Sequence, residues 1–430
     1  MNIFIAILAL SFLIIVHEFG HFIVAKLSGI KVHEFALFMG PKLFSVQRGE
    51  TTYSIRSIPL GGYVKMEGEE EASEDSRAFN KKPIPVRAAV IAAGPIMNLI
   101  TALIIIIFIT FFTGYHTTKI SVIDTTSAAA EARLQQGDEI TKFDKKTVYN
   151  MIDLQLFMAF TKGKSVEVEY IRNGETRYTT LTPEIIPKNR YIIGFSPKKG
   201  YGEDSNIVQT VNEESPAYAA GLRPGDRIIR MGNTPINNNR EIREFMKTNG
   251  GNPVDVGVLR DGKEEKLSIT PIMDKNEEQY NIGILFADEQ GGLAQNIKHS
   301  FIYAYSNARN VYYSFVGLAT GRFSLRQTSG PVGIVVAIGD VVQQSPSLFA
   351  IILNLLSVTA FISINLGLFN LIPFPALDGS KLLLLGIEGI RKKAIPPEKE
   401  AYISLVGFVL LIMLMIFATS NDILRLLGKG

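Results

Sequence analysis

The chain has 430 residues, a formal net charge of +3 and a hydrophobic fraction of 47%. This length is enough for two or more domains, and the small net charge gives no reason to expect nucleic-acid binding. Cysteine is absent, which excludes disulfides, zinc–cysteine sites and thiol nucleophiles. Any transition-metal site must therefore use His, Asp, Glu or Asn.

Four segments are long and apolar enough to span a bilayer. A buried helix of a soluble protein is the alternative for each, but such helices rarely run this long without a charge. The four segments lie at residues 2–25, at 88–113, within 345–377 and at 401–419. We therefore predict four transmembrane helices.

The first segment contains the sequence His17-Glu18-Phe19-Gly20-His21. On a helix, His17 and His21 share one face and can bind one zinc ion, with Glu18 beside it to take a proton from water. The pattern also occurs by chance, and the segment could instead be a signal peptide or a plain signal anchor. It lacks the basic start and the cleavage site of a signal peptide. Ionisable residues inside a span are costly unless they face a cavity or a metal, which favours a functional site.

The loop between the first two spans and the loop between the last two are both rich in Lys and Arg. They must lie on the same side of the membrane, and the positive-inside rule predicts that this side is the cytoplasm. The long region between the second and third spans then lies outside. Within the first loop, residues 51–66 predict two short strands around the Pro-Leu-Gly61-Gly62 turn, with an ordinary surface hairpin as the alternative.

The middle region repeats itself. Ser127-Ala-Ala-Ala-Glu-Ala-Arg-Leu-Gln-Gln-Gly-Asp matches Ser215-Pro-Ala-Tyr-Ala-Ala-Gly-Leu-Arg-Pro-Gly-Asp at an offset of 215 − 127 = 88 residues. The same offset relates residues 166–174 to 254–262, so a domain is duplicated. The pattern resembles a bacterial, circularly permuted PDZ domain, which binds a peptide by adding a strand to a sheet edge. The alternative is a pair of spacers or steric filters without a peptide ligand.

Residues 292–326 predict a helix of mixed polarity. Its Phe and Tyr residues suit the membrane surface, and a helix packed beside the membrane spans is the alternative. A Gly-Pro pair at Gly330 and Pro331 then breaks the helical pattern ahead of the third span.

The sequence Asn370-Leu-Ile-Pro-Phe-Pro-Ala-Leu-Asp378-Gly lies at the end of the third apolar segment. Its two prolines prevent a regular helix, and such a break is tolerated at membrane depth only where it is buried in protein or lines a wet cavity. A catalytic zinc usually needs a third protein ligand, and Asp378 is the candidate because it is the only acid in residues 345–386. The alternative is that Asp378 caps a helix over residues 379–390.

Together with Gly94-Pro-Ile-Met-Asn98 in the second segment, these motifs resemble the site-2 protease family of intramembrane zinc metalloproteases. The nearest type is the bacterial regulator-of-sigma-E protease with tandem PDZ domains, and the resemblance covers nearly the whole chain. The resemblance implies that His17, His21 and Asp378 ligate zinc and that Glu18 activates the water. It also implies that Asn370 positions the substrate or stabilises the oxyanion. Substrate binding is implied for Gly61, Gly62, Pro373 and Pro375.

The predicted fold is a polytopic, mainly α-helical membrane protein with a membrane-associated β-hairpin and two extracytoplasmic α+β PDZ-like domains. The first half of the metalloprotease core occupies residues 1–114. The PDZ-like domains occupy 115–200 and 201–290, and residues 291–430 hold a juxtamembrane helix and the second half of the core.

The resemblance implies a zinc-dependent endopeptidase of the bacterial cytoplasmic membrane. Its substrates would be transmembrane segments of single-span proteins already trimmed outside the membrane, such as anti-sigma factors and remnant signal peptides. Its other partners would be the lipid bilayer and peptide C-termini at the PDZ-like domains, with no nucleic acid. Two rivals are a PDZ-bearing membrane scaffold with an inactive metal site and a metal-ion transporter, which would show inverted repeats among its spans.

Overall fold

The structure is a computed structural model that describes residues 2–69, 71, 73–125, 127–187, 189–200, 203–213, 215–274, 278–324, 330–345, 347–393 and 395–426. The chain divides into two compact units. One unit comprises Met1–Tyr115 and Gln290–Gly430, and the other comprises His116–Glu289.

Long helices dominate the first unit, and short strands dominate the second. The helices are α1 (Asn2–Leu27), α2 (Ile84–Thr113), α3 (Ala128–Glu131), α4 (Met151–Thr161), α5 (Pro216–Ala219), α6 (Asn239–Asn249), α7 (Leu293–Ala319), α8 (Pro331–Gln344), α9 (Leu348–Leu371), α10 (Asp378–Arg391) and α11 (Pro397–Leu426). The strands are β1 (Val32–Arg48), β2 (Thr51–Met66), β3 (Tyr115–Ile123), β4 (Glu139–Phe143), β5 (Lys146–Thr147), β6 (Val166–Arg172), β7 (Glu175–Leu181), β8 (Glu184–Ile186), β9 (Arg190–Ile192), β10 (Phe195–Gly200), β11 (Glu203–Val211), β12 (Arg227–Met231), β13 (Thr234–Pro235), β14 (Val254–Arg260), β15 (Lys263–Ile269), β16 (Ile272–Asp274), β17 (Gln279–Asn281) and β18 (Ile284–Glu289).

Four helices within the described residues are long and apolar enough to cross a membrane. They lie at Phe4–Leu27, Ile84–Thr113, Leu348–Leu371 and Glu398–Leu424. The prediction of four apolar spans is therefore confirmed. Large apolar side chains on these helices are exposed, as lipid-facing positions require; examples are Phe4, Ile104, Phe361 and Leu405.

Helix α2 is central to the first unit and packs against α1, α7, α9 and α10. Two of these contacts depend on glycine. A side chain at Gly20 of α1 would collide with the Ala93 carbonyl, and one at Gly367 of α9 would collide with the Pro95 carbonyl. Small residues let helix backbones approach closely in a membrane, where packing rather than the hydrophobic effect holds helices together. Helices α1 and α9 therefore both lie directly against the same turn of α2.

Helix α7 packs along α2 and α9. The hydroxyl oxygens of Thr110 and Ser300 are 2.9 Å apart near one end of this contact. The rings of Phe315 and Phe369 meet near the other end, with centroids 5.0 Å apart. The helix predicted within residues 292–326 is thus packed beside the apolar spans, which agrees with the alternative prediction and not with a position on the membrane surface. Residues 325 and 326 lie outside the described part of the chain. The Gly-Pro pair that follows starts α8, a further helix that the sequence pattern did not predict.

The chain is not helical between α9 and α10. Ala376 has a φ of 74°, in the left-handed region, and the Pro375 carbonyl lies so close to Gly407 of α11 that a side chain there would collide with it. Helix α10 begins at Asp378 itself, with Leu377 in the cap position and no side-chain cap. The alternative in which Asp378 caps this helix is therefore wrong, and its carboxylate is available for another role.

Strands β1 and β2 form a separate sheet, whose pairing corrects the predicted hairpin. Glu34 of β1 lies opposite both Thr52 and Lys65 of β2. The two halves of residues 51–66 therefore flank β1 on its two sides instead of pairing with each other. Alternation of side chains along a strand indicates a face but not a partner, so the sequence could not distinguish these arrangements.

The second unit contains two six-stranded sheets among its described residues. One has the order β18-β3-β4-β6-β7, with β5 paired to β4, and the other has the order β10-β11-β12-β14-β15, with β13 paired to β12. The elements correspond in sequence, since β4 to β7 of one copy match β12 to β15 of the other. The last strand of each repeat is exchanged, because β10 follows the first repeat but joins the second sheet, and β18 follows the second repeat but joins the first.

The predicted domain limits of 115–200 and 201–290 therefore do not separate the two sheets. Strand β10 lies inside the first range and β18 inside the second, yet each pairs with a strand of the other copy. Two further strand pairs, β8 with β17 and β9 with β16, also connect the repeats. Alignment of the repeats identifies the copies but not the sheet in which a terminal strand finds its partner.

Each copy contains one buried ion pair at the same place in the repeat. Arg172 approaches Asp138 at 2.7 Å, and Arg260 approaches Asp226 at 2.7 Å. Burial alone would raise the pKa of Asp226, but hydrogen bonds from Arg260 and from the Arg223 N–H outweigh it, so the pKa is lowered. The offset of 88 residues found in the sequence thus relates the two copies in their strands and in their ion pairs.

Candidate metal centre

Three side chains from two helices meet in the first unit. They are His17 and His21 of α1 and Asp378 at the start of α10, and their ligand atoms lie within 4.8 Å of one another. The Nε2 atom of His17 is 3.1 Å from Nε2 of His21 and 3.1 Å from Oδ2 of Asp378. The Nε2 atom of His21 is 3.5 Å from the same oxygen.

This triangle fits a tetrahedral metal ion. Zinc binds nitrogen and oxygen at about 2.0–2.1 Å, so the atoms of tetrahedral ligands lie about 3.3–3.4 Å apart. The observed edges of 3.1, 3.1 and 3.5 Å are close to that value. Oδ2 of Asp378 is also buried and has no hydrogen-bond partner among the described residues. Two imidazoles and one carboxylate form a donor set that zinc favours, with a fourth position left for water or substrate.

Helix α2 forms the wall behind the two imidazoles. The Nδ1 atom of His21 lies 2.8 Å from the Val90 carbonyl, which can only accept a hydrogen bond. Nδ1 of His21 therefore carries its proton, and Nε2 keeps a free lone pair. The Nδ1 atom of His17 lies 3.4 Å from the side-chain amide of Asn98. Between these two contacts stands Gly94, where a side chain would collide with both rings.

The carboxylate of Glu18 is held by the β1–β2 sheet. The backbone N–H of Val64 donates a hydrogen bond to Oε2 of Glu18 at 3.2 Å. Close contact between β2 and α1 continues at Gly61, which has a φ of 67° and packs on Ile14. The strand edge of β2 therefore runs along the turn of α1 that carries the His-Glu-x-x-His sequence.

The other sequence-predicted site residues lie on the elements around the triangle. Asn370 is partly buried in the last turn of α9. Pro373 is exposed and Pro375 is partly buried in the break that precedes Asp378. Gly61 and Gly62 are both buried on β2.

Two contacts at this site could not be foreseen from the sequence motifs, namely those made by Asn98 and by the Val64 N–H. Asn98 belongs to a motif that the sequence singles out, but it gains a neighbour only when α2 packs against α1. The sequence feature that could have indicated these contacts of α2 is spacing. Val90, Gly94 and Asn98 are four residues apart and therefore share one helix face.

A cavity of about 560 Å³ that is lined by both polar and apolar residues lies beside the start of α10. Lys381, one turn after Asp378, lines it and pairs with Glu69 at 3.2 Å. Glu400 and Phe408 line it from α11. Polar groups therefore reach the neighbourhood of the metal triangle among otherwise apolar helices.

Apolar spans that carry a His-Glu-x-x-His helix, and a carboxylate that completes a metal triangle, define a membrane metalloprotease. Comparison with known proteins supports this class. The chain matches peptidase family M50 over residues 5–414. It is 32% identical over 453 residues to the zinc metalloprotease RasP of Shouchella clausii, with 99% of this chain and 100% of that protein covered. It is 30% identical over 426 residues to the regulator of sigma-W protease RasP of Bacillus subtilis, with 96% of each covered.

The chain therefore belongs to peptidase family M50, the site-2 protease family, and it is a zinc metalloprotease. The resemblance drawn from the sequence motifs is confirmed, as are the enzyme class and the zinc cofactor. One solved structure, the HtrA3 PDZ domain bound to a phage-derived ligand, matches 23% of this chain and 90% of its own length at 20% identity. Its TM-score of 0.15 is too low to establish the fold of the repeats.

Proposed function

We propose that the protein cleaves transmembrane segments of single-span proteins that have already been trimmed outside the membrane. His17, His21 and Asp378 hold the zinc, and Glu18 acts as the general base. The observation that carries this proposal is the metal triangle itself, because its members come from an apolar span and from a broken helix 357 residues away (378 − 21). One relative is named as a regulator of sigma-W protease, which supports anti-sigma factors as one substrate class. Remnant signal peptides are a second.

Bound zinc supplies a Lewis acid that polarises the scissile carbonyl and lowers the pKa of water. Glu18 takes a proton from the attacking water and passes it to the leaving nitrogen. The Val64 N–H holds Oε2 of Glu18 at 3.2 Å, which leaves Oε1 free to move that proton. Asn370, in the last turn before the break, positions the substrate or donates a hydrogen bond to the oxyanion.

A transmembrane substrate must unwind before cleavage, since a helical amide is hydrogen-bonded and sterically covered. The edge of β2 near Gly61 and Gly62 can receive an extended strand through backbone hydrogen bonds. This edge supports the proposal because its Val64 N–H already reaches Glu18. A strand added there would lie beside the base, and Pro373 and Pro375, in the break before Asp378, would contact the same substrate.

Water must reach this site among apolar helices. The cavity lined by Lys381, Glu69 and Glu400 supports a wet route, because it borders the first turn of α10. The charged groups favour hydration of this route, because water inside a protein needs polar partners.

The two sheets of the second unit are PDZ-like domains outside the cytoplasm that screen substrates. The sheet that contains β10 offers a groove. Strand β10 is an edge strand, and a cavity of about 540 Å³ is lined by residues of β10, of the chain just before it and of α6. Met246 gives this cavity an apolar wall, and Arg243 and Lys247 give it positive charge. A peptide C-terminus would pair with the β10 edge and place its carboxylate near these cations.

Fluorescence anisotropy with the full chain tests the groove. A labelled peptide with a free C-terminal carboxylate should bind more tightly than the same peptide ending in an amide. Equal binding, or none, would favour a steric filter without a peptide ligand.

Cleavage of a model transmembrane substrate in detergent tests the catalytic proposal. Replacing Glu18→Gln should lower the rate by about 10²–10⁴-fold while zinc content is kept. Glu175→Gln, on an exposed side chain of β7, is the matched control and should cleave like the wild type. Chelation should abolish cleavage, and added zinc should restore it. Wild-type cleavage by Glu18→Gln, or indifference to chelation, would contradict catalysis by this metal site, whereas the absence of cleavage by the wild type would favour the inactive scaffold.

A further inference from the structure

The side chain of Asn98 is polar and lies where burial is energetically unfavourable. It is 1% exposed within an apolar helix, and its Oδ1 atom has no hydrogen-bond partner in the part of the chain that the structure describes. A buried polar atom without a partner destabilises the folded state, so such a residue calls for a functional reason. The nearest polar group is the imidazole of His17, whose Nδ1 lies 3.4 Å from the amide nitrogen of Asn98.

The protonation of His17 decides what this contact can be. If Nε2 of His17 coordinates zinc, it must be deprotonated, and Nδ1 then carries the proton. An N–H at Nδ1 needs an acceptor, as the Val90 carbonyl provides for His21. The amide nitrogen of Asn98 is a donor and cannot serve. A 180° rotation of the amide exchanges its oxygen and nitrogen, which have nearly the same shape. It gives Oδ1 the partner it lacks and gives Nδ1 of His17 its acceptor.

We propose that Asn98 is a positioning residue of the zinc site, which accepts a hydrogen bond from Nδ1–H of His17 and so fixes the tautomer that presents Nε2 to the metal. The inference rests on the proposed role of His17 as a ligand. Helix α2 then serves both ligands from one face: the Val90 carbonyl orients His21, Gly94 leaves room for the two rings, and the Asn98 carboxamide orients His17.

The backbone around Asn98 is anchored independently of this contact. The hydroxyl of Ser363 on α9 donates to the Asn98 carbonyl at 2.8 Å, and Ser363 is fully buried. This bond fixes the turn of α2 against α9, so the side chain of Asn98 is left free to serve α1. Loss of the carboxamide should therefore affect the metal more than the packing of the helices.

The test measures zinc affinity of the full chain in detergent by competition with a chromogenic chelator. Asn98→Ala and Asn98→Leu should bind zinc about 10–100-fold more weakly, as is typical when such a partner is lost. Asn98→Asp keeps an acceptor and should bind more tightly than either. Asn296→Ala, which removes another buried asparagine of the same unit, is the control and should bind like the wild type.

The outcomes separate this inference from the proposed function. If His17→Ala loses zinc but Asn98→Ala binds as the wild type does, Asn98 has no positioning role. If Asn98→Asp is as weak as Asn98→Ala, the residue acts through packing and the acceptor role is overturned. If His17→Ala keeps wild-type affinity, the ligand assignment fails, and this inference fails with it. Thermal unfolding of the metal-free variants checks that each remains folded.

Discussion

Gly94 stands directly behind the metal triangle, and any side chain there would enter the space of the imidazoles of His17 and His21. Gly94→Ala should therefore displace both rings and lower zinc affinity by at least about tenfold, with a matching loss of cleavage. Gly386→Ala is the matched control, because a methyl group there would meet nothing within 4 Å. The chelator competition assay compares the two variants. Equal zinc affinity for Gly94→Ala and Gly386→Ala would show that the rings can move aside at no cost.

Sequence spacing and tertiary packing contribute differently to single residues of this site. The four-residue step from His17 to His21 predicts that they share a helix face, and this step lies within one element. The prediction of Asp378 as a ligand rests on its position after a broken helix and on the family resemblance. The pairing of His17 with Asn98 spans 81 residues, and it follows only from how α1 and α2 pack. No local pattern contains that information.

At the scale of elements, strands were easier to predict than their partners. Residues 51–66 were correctly expected to be extended, but the expected internal hairpin is replaced by pairing of both halves with β1. This pairing matters for the proposed mechanism, because the half that ends at Met66 becomes the edge whose Val64 N–H reaches Glu18. The apolar spans show the opposite case: hydropathy alone located them, since length and composition suffice to identify a helix that crosses a bilayer.

The backbone of β2 should affect the rate of peptide-bond cleavage, because one of its N–H groups holds Glu18. Val64→Pro removes the N–H that donates to Glu18 at 3.2 Å, whereas Val64→Ala keeps it. Proline is tolerated best on edge strands, so the sheet should survive. Because a misplaced base slows proton transfer, the kcat of Val64→Pro should fall roughly 10- to 100-fold below that of Val64→Ala, with zinc affinity unchanged. Equal kcat values for the two variants would mean that Glu18 is oriented by other contacts.

The stability of the β1–β2 sheet should depend on pH through Glu34. Burial alone would raise the pKa of Glu34, but hydrogen bonds from Ser54, Arg56 and Tyr63 outweigh it and lower the pKa to about 2. A carboxylate with a lowered pKa stabilises the fold above its unfolded pKa of about 4.3, and this contribution is lost as the pH falls towards the folded value.

Glu34→Gln should therefore lower Tm most at pH 7, and the difference from the wild type should shrink between pH values of about 4.3 and 2. Circular dichroism of both proteins in detergent across this range measures it. A difference that stays constant with pH would contradict the assignment of the stability to the ionised carboxylate.

At the scale of the whole molecule, the sequence revealed the duplication but not how the copies are connected. The constant offset of 88 residues located both repeats, and the structure adds that the ion pairs of Asp138 with Arg172 and of Asp226 with Arg260 follow the same offset. The sequence does not predict the exchange of β10 and β18, because a terminal strand can pair with either copy without any change in its own sequence. Exchange makes each sheet depend on both repeats, so neither copy can be removed alone without leaving the other sheet short of a strand.

Removal of the whole second unit should leave the metal site intact, because the metal triangle lies entirely within the first unit. Replacing residues 116–289 with a short Gly/Ser linker should keep zinc affinity and cleavage of a trimmed transmembrane substrate. If the second unit screens substrates, the same deletion should also permit cleavage of an untrimmed substrate with a folded ectodomain, which the full chain should reject. Gel analysis of both substrates with both proteins measures this.

Loss of zinc binding would show that the first unit does not fold without the second. Continued rejection of the untrimmed substrate by an active deletion variant would show that the selection resides in the membrane core. Exchange of strands within the second unit makes complete removal the cleaner experiment, since deletion of one repeat would expose an unpaired sheet edge and confound screening with misfolding.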